Sequence, residues 1–199
     1  VYKILECPDM KVWIVNARHI KYVPGHKTDK KDSAWICKLL LAGLLKPSYI
    51  PEREQRELRD LTRYRNKLIQ HVSSEKNRIV RILEDCNIKL SSVVCSLDGV
   101  VANKLIDMLI DKGHVTMDDI TCIYHKKLEA SPELLYQACE GFIEPHHIYM
   151  LQTIRKDMEQ TKAIIADLTC RIKEVLSPYE NVMELLQKIP GLSRKTVED

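Results

Sequence analysis

Eight positions late in the chain, Leu151, Ile154, Met158, Thr161, Ile165, Leu168, Ile172 and Val175, recur in steps that alternate strictly between three and four residues. Only an α-helix brings such positions onto one narrow face. That face is the seam of a coiled coil, and Thr161 alone interrupts its apolar character. A second run has the same step: Leu58, Leu61, Leu68, Val72, Ile79, Ile82 and Cys86, with Arg65 and Glu75 at the two places an apolar residue would fill. Two long helices, each with one apolar stripe, predict a mainly α chain in which the stripes close a hairpin within the molecule or a contact between copies.

The rest of the sequence fits around these helices. The segment 11–17, "KVWIVNA", is short and rich in Val, Ile and Trp, and it reads as a buried strand. After a loop with Pro24 and Gly25, "SAWICKLLLAGLL" (33–45) has the length of a buried helix that starts in the Asp29–Asp32 stretch and loosens near Gly43. "PSYIP" is an extended piece between Pro47 and Pro51. Several short helices are expected over 87–145, broken at Gly99, Gly113, Ser131-Pro132 and Gly141–Pro145. Pro178 should end or kink the heptad helix, leaving a helix, a Pro-Gly turn and the start of another helix over 179–199. The predicted organisation is 1–86, then a helical region 87–178 with its coiled coil at about 148–176, then 179–199.

A hydrophobic fraction of 45% over 199 residues is ample for a core, which sets disorder aside. The net charge of +3 is too small to identify a partner, but its distribution is uneven. Six Lys/Arg face two Asp from Arg18 to Lys38, and six face only Glu75 from Arg63 to Arg81. From Asp98 to Glu144 nine acids outnumber four lysines, so a polyanion would meet the first half of the chain. Seven scattered cysteines without a CxxC pair suit a reducing cytosol and read as small apolar residues. No apolar run approaches the roughly 20 residues that would cross a bilayer. The chain begins without Met inside a helical-looking "VYKILE", as a piece of a longer protein would.

"GHKTDKKDSAW" (25–35) carries the chemistry. Thr28 or Asp29 can cap the helix that follows, and Asp32 sits in a first turn whose dipole favours negative charge. The same three-residue spacing puts both carboxylates on one helix face, where they can converge on a hard cation such as Mg²⁺ beside phosphate oxygens. Lys27, Lys30 and Lys31 would suit a phosphate backbone. The two readings are compatible, and the spacing does not choose between them.

The stretch "VWIVNARHIKYVPGHKTDKKDSAWICKLLLAGLLKPSYIPEREQRELRDLTRYR" resembles the DEDD transposases of insertion-sequence family one-hundred-ten, relatives of the Piv DNA invertases. The resemblance rests on "VNA", "PG.KTD..D", a helix ending "GLL", "S.IP" and "R.LRDLTRYR", and it continues more loosely through the coiled coil to "IPG". It implies a partial RNase H/RuvC-like α/β domain over 1–86 and a C-terminal transposase domain beginning at 179. Four acidic residues would bind Mg²⁺, with Asp29 and Asp32 matching the last two. The other two acids have no counterpart here, and no serine matches the family's nucleophile, so this segment is expected to be inactive alone. The partners implied are DNA and a structured guide RNA, in a prokaryotic cytoplasm close to the nucleoid.

Three further features bear on function. Arg63, Arg65, Lys67 and Arg78 lie on a basic helix that is either a solvated face or a phosphate-binding surface. "KIPGLSRKT" resembles a helix-hairpin-helix, with Gly191 in the turn and Ser193 in place of its second glycine; an ordinary turn is the alternative. His146-His147 beside Glu144 could suggest a metal, but adjacent side chains point apart and no other ligand stands at a useful spacing, which favours a helix-start or surface role. The expected function is Mg²⁺-dependent cleavage and rejoining of DNA by a transposase or recombinase that pairs through its coiled coil. The alternatives are a non-catalytic helical nucleic-acid-binding or dimerising remnant, and a Mg²⁺-dependent nuclease of the same fold.

Overall fold

The computed structural model describes residues 2–7, 9–17, 29–125, 128 and 130–198, and of Tyr2, Lys3, Asp29, Lys30 and Lys31 only the backbone. Ten α-helices are described: α1 (Tyr2–Leu5), α2 (Asp29–Leu41), α3 (Arg53–Asp85), α4 (Leu90–Val93), α5 (Val100–Lys112), α6 (Met117–Ile123), α7 (Pro132–Ala138), α8 (Pro145–Leu176), α9 (Glu180–Gln187) and α10 (Arg194–Glu198). A 3-10 turn, Ser177–Tyr179, separates α8 from α9 where Pro178 denies the helix a backbone donor. The chain divides into two compact units, Val1–Arg56 and Glu57–Asp199.

In the first unit the strand expected over 11–17 is not a strand. Among the described residues this unit holds two isolated bridges, Cys7 with Met10 and Val15 with Pro47, the latter accompanied by Ser48 N donating to Ile14 O at 2.7 Å. Trp13 and Ile14 are exposed, and the Lys11 ammonium lies 5.7 Å from the Trp13 ring centre. A ladder needs neighbours, and no described strand lies beside this segment to hydrogen-bond it or cover its faces. Helix α2 forms as expected and stops at Gly43, which adopts φ +67°. There Leu44 N donates to Leu39 O and Gly43 N to Leu40 O, both at 3.0 Å, the paired bonds of a Schellman end.

The second unit is built on the two periodic helices. Leu58 and Leu61 early in α3 pack with Ile172 and Leu176 late in α8, while Val72, Ile79, Ile82 and Leu83 share a core with Leu151, Ile154 and Met158. The helices therefore run antiparallel. The heptad face is covered within the chain, and α5 adds Ala102, Leu105, Ile106 and Leu109 to the same core. Each such side chain removed from water contributes about 1.5–3 kcal/mol. Leu176 takes the buried end position that the spacing gave to Val175, which is half-buried.

The breaks between the short helices fall at the expected residues, each for a physical reason. Gly113 ends α5 in the left-handed region at φ +74°, with its N–H on Leu109 O. Thr116 and Asp119 bond reciprocally at the start of α6, and Lys112 Nζ reaches Asp119 Oδ1 at 2.7 Å. Those partners hold the Asp119 carboxyl far below the usual carboxylate range, the lysine first and then Thr116. Ser131 caps α7 ahead of Pro132, and Pro145 opens α8, where Glu144 N donates to His147 Nδ1 at 3.2 Å. The histidine pair is thus a helix start. Helix α3 ends on Asn87 at φ 60°, with Ile88 N on Leu83 O at 2.8 Å and Asn87 N on Glu84 O at 2.9 Å. Gly141 approaches that end so closely that a Cβ would sit 2.3 Å from Cys86 O.

The cysteines divide. Cys86 and Cys139 are buried apolar residues, and burial pushes the Cys139 thiol up to about 11. Cys7, Cys37, Cys95, Cys122 and Cys170 are exposed.

Candidate functional site

The carboxylate pair stands at the entrance of α2. Asp29 is the first residue of the helix and Asp32 the fourth, so the two positions share a face of the first turn. Asp32 is exposed. Lys30 and Lys31 belong to the same turn; their side chains, like that of Asp29, lie outside the described residues, as does Lys27 altogether. Among the described residues no group of three metal-capable donors includes Asp32.

The basic residues of α3 separate into two kinds. At about 100° per residue, Arg63, Lys67, Arg78 and Arg81 fall within an arc of about 60° on the side opposite the apolar seam, along about 27 Å of helix. All four are exposed. Arg78 Nη1 also donates to Glu75 Oε2 at 3.1 Å, and Lys76, off this stripe, pairs with Asp98. Among the described residues no ion pair involves Arg63, Lys67 or Arg81.

Arg65 does not join them, contrary to the sequence reading. It occupies a seam position, is 3% exposed, and its Nη1 donates to Glu198 Oε2 at 2.6 Å. A guanidinium held this way packs α10 onto α3 and presents no charge to a phosphate. The skipped heptad positions were therefore buried charges, and the clue was their place in the three-four rhythm. Thr161, the polar residue in the other seam, is likewise buried.

The "IPG" segment forms a helical hairpin from α9 through Pro190-Gly191 to α10. Gly191 sits at φ +89°, a conformation that disfavours any side chain. Ser193 Oγ accepts from Thr196 N at 3.3 Å and lies 2.9 Å from Thr196 Oγ1, so it caps α10. Arg194 reaches Glu180 with two nitrogens at 2.9 and 3.1 Å, tying the two helices of the hairpin together. The amide of Thr196 is thereby satisfied within the protein.

Residues 1–88 match the family model of the DEDD transposases of insertion-sequence family one-hundred-ten, described as a transposase. Neither the curated proteins nor the solved structures yielded a match. The matched stretch contains "PGHKTDKKD", α2 and the whole of the basic helix α3, the segments whose residues carry the resemblance. Among the described residues no helix is long and apolar enough to cross a membrane. This match covers 88 of the 199 residues, and over that stretch the chain is similar to the DEDD transposases of insertion-sequence family one-hundred-ten.

Proposed function

We propose that this chain is part of a DNA transposase in which Asp29 and Asp32 supply two of four carboxylates that hold Mg²⁺. The observation that carries the proposal is their placement on one face of the first turn of α2, inside the stretch that matches the family. The donor chemistry fits: two hard oxygen ligands from one helix turn, with Asp32 open to water, leave room for phosphate oxygens and further acids. Bound there, Mg²⁺ would supply Lewis-acid stabilisation for phosphodiester cleavage and rejoining. The role of the protein groups is to fix the ligand pair in one orientation, with the helix N-terminus favouring their negative charge.

Two more acids and a serine nucleophile complete such a site, and this sequence offers no matching residues for them. Ser193 serves as a helix cap. The segment alone is therefore inactive in strand cleavage on this reading. Residues 1–86 would form the rear of a RuvC-like domain, 87–178 a helical body, and 179–199 the beginning of a C-terminal transposase domain.

DNA would meet the stripe of Arg63, Lys67, Arg78 and Arg81, which suits a phosphate backbone by charge and not by base identity. A structured guide RNA offers the same phosphate chemistry, and Lys27, Lys30 and Lys31 would add to its basic environment. Because the heptad seam of α8 is covered by α3 and α5, pairing of two copies through α8 would have to use its outer face or open the hairpin.

The test uses a longer protein that supplies the missing acids and serine. Asp29→Ala and Asp32→Ala should each reduce strand cleavage to background while duplex binding persists; cleavage at the parent rate in either variant refutes the metal role. Replacing Arg63, Lys67 and Arg81 by Gln should lower the salt dependence of duplex binding by about one unit of slope per lost phosphate contact. An unchanged slope would show the stripe to be solvated surface. The non-catalytic reading, a helical nucleic-acid-binding remnant, predicts the opposite pair of results: no effect at Asp29 or Asp32 and a full effect on the stripe.

A further inference from the structure

Glu75 interrupts the apolar seam of α3, and its buried carboxylate is not isolated. His71 lies one turn earlier on the same helix, and Asp157 faces both from α8. One donor atom from each lies within 4.8 Å of the other two, and His71 Nε2 is 2.8 Å from Asp157 Oδ2. Glu75 is 4% exposed, whereas the side chain of its ion-pair partner Arg78 is 56% exposed. A carboxylate that deep is ordinarily paired or coordinated, and a solvated guanidinium on one oxygen offsets only part of its desolvation.

We propose that His71, Glu75 and Asp157 form a binding site for a first-row divalent metal of the Zn²⁺ or Mn²⁺ kind, which clamps α3 to α8. The donor set selects this class. An imidazole nitrogen is a poor ligand for Mg²⁺ or Ca²⁺, and two carboxylates with no thiolate are poor ligands for soft ions. Two carboxylates also balance a charge of two. A tetrahedral ion with bonds of about 2.0–2.2 Å needs donors about 3.4 Å apart, wider than the 2.8 Å between His71 and Asp157 and inside the 4.8 Å within which all three donors lie. The four-residue step from His71 to Glu75 puts both donors on one helix face, and Asp157 approaches from the antiparallel helix.

On binding, the cation takes the place of the hydrogen between His71 and Asp157; any proton on Nε2 leaves to solvent. Exposure of His71 leaves the remaining coordination position to water. The site does not use Asp29 or Asp32, and its failure would leave the proposed catalytic role untouched.

The experiment titrates the whole chain, first stripped with a chelator, with Zn²⁺ and with Co²⁺ as a spectroscopic stand-in. Zn²⁺ should raise Tm, and Co²⁺ should give visible ligand-field bands without thiolate charge transfer in the near ultraviolet. His71→Ala and Asp157→Asn should each weaken Zn²⁺ binding by about tenfold or more. Asp157→Asn preserves volume and hydrogen-bonding capacity, so it remains informative should His71→Ala disturb the fold. Parent-level affinity in both variants, no Zn²⁺ effect on Tm, or thiolate bands that assign the metal to the exposed cysteines would each overturn the proposal.

Discussion

The unit Val1–Arg56 and the unit Glu57–Asp199 divide the molecule's attributes unequally. The first contains the carboxylate pair, yet among its described residues only Leu39 and Leu45 are buried hydrophobics. Ile4, Leu41 and Tyr49 are more than four-fifths exposed. The second holds the other buried apolar side chains among the described residues, with Leu90, Leu105, Ile120, Leu135, Leu151 and Ile172 fully enclosed. Among the described residues the unit with the sharpest sequence motif has few buried apolar side chains, while the helical body holds most of the core. Motif residues are chosen by the ligand they meet, and core residues by the volume they fill.

The largest test of that contrast is a pair of leucine truncations. Leu105→Ala removes a fully buried side chain from the shared core of α3, α5 and α8 and should cost about 3–5 kcal/mol, read from the urea midpoint. Leu41→Ala, at 83% exposure, should change stability by less than about 0.5 kcal/mol. Equal effects would mean that the first unit draws on a core of comparable depth, and the comparison would collapse.

A smaller effect is expected at the end of the helical body. Glu198→Ala leaves the buried guanidinium of Arg65 without its 2.6 Å carboxylate and should cost about 1–3 kcal/mol. Because α10 is terminal, it can undock instead of unfolding the hairpin, so the loss should appear first as faster hydrogen exchange in α9 and α10. The double change Arg65→Met with Glu198→Leu should recover most of the stability. If the single variant instead lowers protection throughout α3 and α8, the ion pair belongs to the central cooperative unit.

Most of the helical body was legible because periodicity and caps are local. The rhythm of α8, the Pro145 start, the glycine break at Gly113 and the Ser131-Pro132 start all depend on residues within a turn or two. What was not legible required knowing which element comes to lie alongside which. The 11–17 segment has strand composition, but a strand is made by its neighbours, and what pairs with Val15 is an isolated bridge to Pro47. Arg65 looked like a surface cation until Glu198, 133 residues away, was placed beside it. His71 stands one turn before Glu75 on α3 but was not singled out in the sequence, because Asp157, the residue that makes the pair a cluster, comes from another helix. The Asp29–Asp32 pair was readable as a motif, since its spacing alone sets a shared face.

The smallest difference between the two units lies in how their helices stop. α2 and α3 both end in a Schellman arrangement, but the left-handed residue is Gly43 in one and Asn87 in the other. Glycine carries no penalty at positive φ, whereas asparagine tolerates it at a modest cost. Gly43→Ala introduces no clash, since nothing lies within 4 Å of the new Cβ, so its cost is backbone strain alone, about 1 kcal/mol. Asn87→Gly should be nearly neutral, within about 0.5 kcal/mol, because relief at φ 60° is offset by greater freedom of the unfolded chain. Exchange rates of the last amides of α2 and α3 measure both. Should Gly43→Ala leave α2 unaffected, the helix end relaxes freely, and the first unit is still less constrained than its two buried leucines suggest.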